Sequence, residues 1–205
     1  PRWSPDGRWI LVVAQRSVPP SGENKVARPG VGALNDVWVI DTSAGPNFKY
    51  YKLRDTSSYP GEGGALHPVF SHKGDKVLWV ERTSPDQPDA AGTWDMYLAD
   101  FTVDASGVPS LKNPTKLEAK GSNATFYESH NFSLDDTKVT FTANVGGTSE
   151  LKQGGDVVIM DIATGQWTDL TNTPNFWDEH LHPIPGTTKY IWMSAFQTYG
   201  YKPGD

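Results

Sequence analysis

The feature that most restricts how this chain can fold is a turn-and-strand unit that occurs four times. Its clearest copy is the turn Ser4–Gly7, which is followed by the apolar run Trp9–Val13. Asp and Gly favour a tight turn, and the β-branched and aromatic run is too short for a helix. Weaker copies start at Ser71, Ser133 and Ile184, each before a strand-like segment in the same register. The recurrence predicts a repeat protein.

A second pattern supports the first. In three of the units the turn-and-strand copy is followed by a strand-like segment with an Asp at both ends, and then by a short strand. The acidic segments are Asp36–Asp41, Asp95–Asp100 and Asp156–Asp161, and the short strands end at Leu53, Leu117 and Leu170. Each unit therefore predicts four antiparallel strands, A to D, as in a β-propeller blade. We read the acidic pairs as structural because they recur with the repeat.

The predicted fold is an all-β propeller with about three and a half four-stranded blades. The blades are expected at residues 1–54, 65–119, 125–171 and 177–205. A closed ring typically needs at least four blades. Pro1 lies inside a motif, and Asp205 falls where the fourth strand C should begin. We therefore expect this sequence to be a fragment of a larger ring.

Composition restricts the class of partner. The 205 residues include 18 basic and 24 acidic side chains, a net charge of −6, which disfavours nucleic acid and anionic membranes as partners. Cysteine is absent, which excludes disulfides and thiolate zinc sites. The longest apolar run, Trp9–Ala14, is too short for a membrane helix, and no signal peptide is visible.

The repeat resembles that of the TolB-like β-propellers, whose consensus runs approximately P-x-W-S-P-D-G-K, then D-I-Y-x-x-D, then L-T. Here Pro1–Gly7 reads P-R-W-S-P-D-G, and the resemblance extends over nearly the whole chain. It implies a periplasmic or extracellular binding or scaffolding module, with a protein or a carbohydrate as partner. It specifies the fold more closely than the function, because such blades serve many roles.

The strand order indicates which face would bind a ligand. The B-to-C loops and the starts of the A strands share one face, and the B-to-C loops are long in every unit: 17–34, 83–92, 145–155 and from 195 onward. Binding sites often lie on long loops held by a rigid scaffold. Long surface loops are also tolerated as simple insertions, and both interpretations stay open.

Histidine and glutamate are concentrated at the starts of the A strands. The histidines there are His67, His130, His180 and His182. In register, Glu128 corresponds to Glu179, and Ser129 to His180 and His67. Such side chains around a channel could bind a divalent cation or supply a general base. They could also only line a water-filled polar channel. The fifth histidine, His72, falls in a turn on the opposite face and is expected at the surface.

Strand alternation makes the expectation more specific. His180 and His182 should share one side of their strand, Glu128 and His130 should share one side of theirs, and Glu179 should face away from His180. The cluster is similar to that of the oligogalacturonate lyases, TolB-like propellers that hold manganese with three histidines and a glutamine. That resemblance implies His130, His180 and His182 as ligands of Mn²⁺ or a similar divalent metal. The chain departs from the pattern, since no glutamine is placed near His180 and no arginine or lysine base can be assigned.

Five further side chains are candidates for contacting a ligand: His67, Glu128, Glu179, Tyr127 and Trp177. The aromatic rings here, including Phe126, could stack on sugars or clamp a peptide, or they could pack between blades. No catalytic residue is predicted, and the residues alone require no cofactor. Three functions stay open: a binding or scaffolding module, a metal-dependent polysaccharide lyase, and the propeller of a serine peptidase. The last would need a catalytic domain elsewhere, because no nucleophile elbow occurs in this sequence.

Overall fold

The computed structural model describes residues 1–16, 32, 34–59, 63–84, 93–145, 155–173 and 176–196, and its regular elements are all β-strands. The strands are β1 (Arg2–Trp3), β2 (Trp9–Gln15), β3 (Asn35–Asp41), β4 (Lys49–Arg54), β5 (Gly64–Phe70), β6 (Lys76–Ser84), β7 (Thr93–Val103), β8 (Pro109–Leu117), β9 (Tyr127–Phe132), β10 (Lys138–Ala143), β11 (Asp156–Asp161), β12 (Trp167–Asp169), β13 (Phe176–Pro183) and β14 (Tyr190–Phe196). This part of the chain contains no helix long and apolar enough to cross a membrane. Most residues of the long B-to-C loops lie outside the described ranges.

Consecutive strands form consecutive sheets. Strands β1–β4, β5–β8 and β9–β12 make three four-stranded antiparallel sheets, and β13–β14 makes a two-stranded one. We call these sheets 1 to 4, and we call β1, β5, β9 and β13 the inner strands. This arrangement confirms the predicted all-β, partial-propeller fold, and the described sheets do not close into a ring. The predicted Asp-bounded strands are β3, β7 and β11, the third strand of each complete sheet.

The A-to-B turns, which we call the turn end of the inner strands, share one local construction. The hydroxyls of Ser4, Ser71 and Ser133 each accept a hydrogen bond from the backbone N–H five residues later, at 2.9–3.0 Å. The fourth turn residue has a positive φ in every copy, 71° at Gly7, 76° at Gly74, 60° at Asp136 and 75° at Gly186. Glycine adopts that conformation without steric cost, which explains its place in the motif.

The turn end also links neighbouring sheets. The carboxylate of Asp136 accepts the backbone N–H of His72 at 2.7 Å and that of Lys73 at 3.0 Å. The Nδ1 atom of His72 lies 3.0 Å from the same carboxylate, and the His72 side chain is 40% exposed. His72 therefore lies at the surface of the turn end, where it joins sheet 2 to sheet 3.

Apolar side chains fill the spaces between adjacent sheets. Trp9, Leu11 and Val39 of sheet 1 form one buried cluster with residues of sheet 2 such as Phe70 and Trp79. The opposite face of sheet 2 packs on sheet 3 through a second buried cluster. That cluster includes Leu78, Met96, Phe132, Phe141 and Val158. Each sheet thus covers one face of the next, as blades of a propeller do.

One fully buried carboxylate also joins sheets 1 and 2. Glu81 of β6 accepts hydrogen bonds from Arg54 of β4 at 2.6 and 3.1 Å, from the Tyr59 hydroxyl at 2.6 Å and from the Trp79 indole at 2.6 Å. The hydrogen bond and charge of Glu81 raise the pKa of Arg54, against the effect of burial. Since both oxygens of Glu81 have donors, the buried charge is satisfied.

Candidate metal-binding site at the head end of the inner strands

The starts of the inner strands, which we call their head end, contain a β-bulge at the same place in three sheets. The inner strands β5, β9 and β13 pair regularly with β6, β10 and β14 up to Leu66, Ser129 and Glu179. In each case the pairing resumes after one extra residue in the inner strand. The bulged pairs are His67–Pro68, Ser129–His130 and His180–Leu181. The structure therefore gives the predicted correspondence of His67, Ser129 and His180, and of Glu128 with Glu179.

Two of these bulges hold a histidine in a left-handed backbone conformation. The φ angle is 48° at His67 and 57° at His180. Non-glycine residues rarely adopt positive φ, and a bulge of this kind redirects the side chain of its first residue. Backbone strain of this type concentrates at functional sites. Both histidines are therefore held at a conformational cost in positions that regular strands would not give them.

The rings of His67, His130 and His180 meet between sheets 2, 3 and 4. Their centroids are 6.4 Å apart for His67–His130, 5.8 Å for His67–His180 and 5.7 Å for His130–His180. Around a tetrahedral ion with metal–nitrogen distances of about 2.1 Å, imidazole centroids lie roughly 5 Å apart. Three neighbouring sheets thus bring three imidazoles close to the spacing of a ligand set.

Glu128 adds an oxygen to this group. Its Oε1 lies 2.9 Å from Nδ1 of His67, and Glu128 itself is buried. Ligand atoms of His67, Glu128 and His130 all lie within 4.8 Å of one another. A carboxylate paired to a histidine fixes the orientation of the ring and is common in metal sites. Glu128 is therefore placed either to orient His67 or to bind an ion beside it.

The protonation of His130 follows from its hydrogen bonds. The Thr142 hydroxyl donates its one hydrogen to the carbonyl oxygen of Asp178 at 2.6 Å, because a carbonyl can only accept. Thr142 must then accept from Nε2–H of His130, which lies 2.7 Å away. The backbone N–H of His180 also approaches this Nε2, at 3.3 Å, and the two shorter bonds decide the tautomer. The lone pair of neutral His130 is consequently on Nδ1.

Burial keeps His130 neutral. The residue is 2% exposed, and burial lowers its pKa well below the ordinary value of 6.5. The nearby rings of His67, His180 and His182 and the Arg2 guanidinium lower this pKa further. Because a metal ligand must be deprotonated, the environment of His130 favours the form that could bind an ion.

The bulge in β13 changes the arrangement that alternation predicts. Nε2 of His180 lies 3.9 Å from Oε1 of Glu179, so the prediction that Glu179 faces away from His180 is wrong. The extra residue interrupts the alternation of side chains at this point. Glu179 also accepts a hydrogen bond from the Trp177 indole at 3.0 Å.

His182 has a different partner from the other three histidines. Its Nδ1 accepts a hydrogen bond from the Asn131 side-chain amide at 3.0 Å, which occupies the lone pair of that nitrogen. Burial lowers the pKa of His182, and the charges of Arg2 and His180 add to the effect. The predicted role of His182 as a metal ligand stays a prediction, since an ion would first have to displace Asn131.

The imidazoles line a small cavity that also contains Arg2. The cavity has a volume of about 110 Å³, and Arg2, His67, Pro68, Ser129, His130 and His180 contribute to its wall. Burial lowers the pKa of Arg2 below its ordinary value. Sequence reasoning missed Arg2, although its place directly before Trp3 in the repeat puts it on the first inner strand.

The predicted aromatic residues lie beside the site and pack against protein. Tyr127 is buried, its ring centroid is 5.5 Å from that of Phe141, and its hydroxyl accepts from the Ala119 N–H at 3.4 Å. The rings of Phe126 and Trp177 are 5.7 Å apart. These contacts agree with the expectation that the aromatic rings pack between blades. A role for Tyr127 or Trp177 in ligand binding stays a prediction.

Comparison with known proteins gives the fold and no family. No protein-family model and no curated protein match this chain. Among solved structures, it is similar to prolyl oligopeptidase B from Galerina marginata bound to a 35mer hydrolysis and macrocyclization substrate, with a TM-score of 0.51 and 10% sequence identity. The match covers 88% of this chain and 22% of the length of the other. At this identity the likeness supports the propeller-like fold alone.

Proposed function

We propose that this chain is part of a TolB-like, exported β-propeller that binds a ligand at the head end through a divalent transition-metal site. The observation that carries the proposal is the convergence of His67, His130 and His180 from three successive sheets, with Glu128 among them. The bulges hold His67 and His180 in costly backbone conformations, as is found at functional sites.

The chemistry of the donors favours one class of ion. Three imidazoles and one carboxylate suit Zn²⁺, Mn²⁺ or Fe²⁺ better than Ca²⁺, which prefers oxygen ligands. His130 would bind through Nδ1, since its Nε2–H is used by Thr142. The rings would close by on the order of 1 Å around an ion, because metal–nitrogen distances are about 2.1 Å. The proposed set contains His67 in place of the predicted His182.

Metal titration of the purified chain tests this proposal. After chelation and dialysis, Zn²⁺ and Mn²⁺ binding is measured by calorimetry for the wild type and for His67→Ala, His180→Ala and Glu128→Gln. We expect the histidine variants to lose saturable binding and Glu128→Gln to bind about 10–100-fold more weakly. His72→Ala is the matched control, because His72 lies at the turn end. Equal affinity in His180→Ala and His72→Ala would disprove the metal site.

A protein or carbohydrate ligand would dock over this site. We propose that binding of this ligand depends on the metal. The test compares capture of acidic or neutral oligosaccharides, or of a protein partner, with and without Mn²⁺.

A metal-dependent polysaccharide lyase is the enzymatic form of the same proposal. Arg2 supports it, because a guanidinium in the cavity wall could hold a sugar carboxylate. Formation of unsaturated sugar ends, lost in His180→Ala, would be the result expected of a lyase.

The structural similarity to prolyl oligopeptidase B favours a second candidate, the propeller of a serine peptidase. In that case the propeller would accompany a catalytic domain that this sequence does not contain. Labelling of the full-length natural protein with a fluorophosphonate probe distinguishes the candidates. A labelled serine would support the peptidase, and an unlabelled full-length protein that still binds metal would support the binding module.

A further inference from the structure

A second cluster of charged groups lies where sheet 3 meets sheet 4, and it departs from its counterpart in sheet 1. In sheet 1, Asp36 at the start of β3 forms ion pairs with Lys52 at 2.9 Å and with Arg16 at 3.1 Å. Lys52 pairs with Trp38 in the neighbouring strand. One carboxylate at this position is thus balanced by two basic side chains.

Sheet 2 also has a lysine next to the aspartate of its third strand, whereas sheet 3 has an aspartate in the lysine position. Lys116 pairs with Tyr97 and lies 3.1 Å from Asp95. At the same register in sheet 3, the residue that pairs with Val158 is Asp169. The residues that align in the three fourth strands read Y-K-L, T-K-L and T-D-L. Asp169 therefore places a negative charge where the other two sheets place the lysine that neutralises the strand-C aspartate.

A third carboxylate comes from the next sheet. Asp178 lies in β13, where it pairs with Ser194. The equivalent residue in β5 of sheet 2 is Ala65, which pairs with Glu81. Asp178 is 1% exposed, and its Oδ1 has no hydrogen-bond partner. A buried unpartnered carboxylate oxygen is costly unless a cation or a proton compensates it.

Hydrogen bonds from Thr171 and Thr173 join these groups into one cluster. The Thr171 hydroxyl donates to Asp156 at 3.2 Å, and its backbone N–H donates to Asp169 at 3.1 Å. The Thr173 backbone N–H donates to Asp156 at 2.9 Å, and its hydroxyl donates to Oδ2 of Asp178. Burial raises the pKa of Asp169, and the charges of Asp156 and Asp178 raise it further. Among the described residues, no basic side chain is paired with any of the three carboxylates.

We propose that Asp156, Asp169 and Asp178 form a site for a hard divalent cation, with Ca²⁺ as the ion that suits it best. Carboxylates together with a neutral oxygen such as the Thr173 hydroxyl are the ligands that Ca²⁺ takes. The ion replaces the lysine ammonium of sheets 1 and 2 and gives Oδ1 of Asp178 its missing partner. The three carboxylates do not all lie within 4.8 Å of one another, so binding draws them together.

This site is separate from the histidine cluster in both chemistry and residues. The histidine cluster offers nitrogen donors, whereas the aspartate cluster offers only oxygen. A bound ion would join the end of sheet 3 to the first strand of sheet 4. Its expected effect is therefore on the stability of that junction.

Calcium titration of the full chain, after chelation, tests the proposal. We expect saturable heat of Ca²⁺ binding and a rise in Tm with Ca²⁺ for the wild type. Asp169→Lys and Asp178→Ala introduce the residues that this chain itself uses at the equivalent positions. Both should lose Ca²⁺ binding, and Asp169→Lys should have a higher Tm than the wild type when no Ca²⁺ is present.

Two controls make the result decisive. Asp161→Asn removes a carboxylate from the other end of β11 and should leave the Ca²⁺ affinity unchanged, and so should His72→Ala, because His72 lies at the turn end. If Asp169→Lys does not fold by circular dichroism, Asp169→Asn replaces it and should bind Ca²⁺ more weakly. Absence of Ca²⁺ binding by the wild type, or binding lost in His180→Ala but kept in Asp169→Lys, would overturn the proposal.

Discussion

At the turn end of the inner strands, sheets 1 to 3 use a serine in the same way, whereas at the head end the bulged residue pairs of sheets 2 to 4 differ in sequence. Ser4, Ser71 and Ser133 make equivalent bonds to the backbone. The bulged pairs at the head end are His67–Pro68, Ser129–His130 and His180–Leu181. At the turn end the backbone geometry requires similar residues in each copy. At the head end the bulge is retained, but the side chains at the bulge differ from sheet to sheet.

The comparison teaches where to look for function in a repeat of this kind. Both proposed sites include residues near the start of an inner strand, and both arise where one copy departs from another. The histidine site depends on the residues at the bulges. The aspartate site depends on Asp169 and Asp178, which take the positions of Lys52 and Ala65.

The largest effect should come from a buried carboxylate that joins sheets 1 and 2 and has a purely structural role. Glu81→Ala removes the carboxylate shared by Arg54, Tyr59 and Trp79, and it should lower the free energy of unfolding by about 3–5 kcal/mol, because it leaves buried donors and a cation unpaired. Chemical denaturation measures the change. Glu118→Ala, which removes an exposed carboxylate, should change the free energy of unfolding by less than about 1 kcal/mol. A similar loss in both variants would contradict the assigned role of Glu81.

An intermediate effect should appear in the pH dependence of stability. The folded state holds His130 neutral, with a pKa below the ordinary 6.5, so the unfolded chain binds more protons in acid. The contribution of His130 is fully present above pH 6.5 and is lost as the pH falls below that value, by up to about 1.4 kcal/mol per pH unit. Denaturation of the metal-free protein between neutral and mildly acidic pH measures this slope.

A substitution identifies the histidine responsible for that slope. His130→Gln keeps a donor for Thr142 and cannot titrate, so its stability should fall less steeply with acid. His72→Gln should retain the His130 contribution. An unchanged slope in His130→Gln would show that His130 does not carry it.

The smallest effect tests the uniformity of the turn end. Ser4→Ala, Ser71→Ala and Ser133→Ala each remove the same hydroxyl, so each should lower the free energy of unfolding by about 1 kcal/mol. Thermal or chemical denaturation of the three variants gives the values. If one variant loses several times more than the other two, the turns are not equivalent and the comparison fails.

The sequence predicts the fold well because turn and strand patterns are local. Gly7 and Gly74 have the positive φ that the tight turn requires, and the repeat gives the register that makes His67 equivalent to His180. The orientation of side chains at the head end is less predictable. A bulge adds one residue to a strand without any change in its composition, so alternation placed Glu179 on the wrong side of His180.

Contacts between sheets are harder still to predict. Whether Arg2 reaches the histidine cavity depends on how sheet 1 packs, which no local pattern encodes. The sequence shows that Asp169 replaces the lysine of the other two sheets. A cation site could not be inferred from this change alone, because Asp178 comes from the following sheet. The sequence therefore identifies the individual residues of both sites, but their proximity depends on how the sheets pack.

The order of the strands has a consequence for how the molecule unfolds. Among the described strands, every pair joins neighbours in sequence, and each complete sheet packs on the next one. Such a chain approximates a one-dimensional array, in which stability is the sum of the sheets and their nearest-neighbour interfaces. Amide hydrogen exchange should therefore be graded along the array, with slow exchange in sheet 2, which has a neighbour on both faces, and faster exchange in β14.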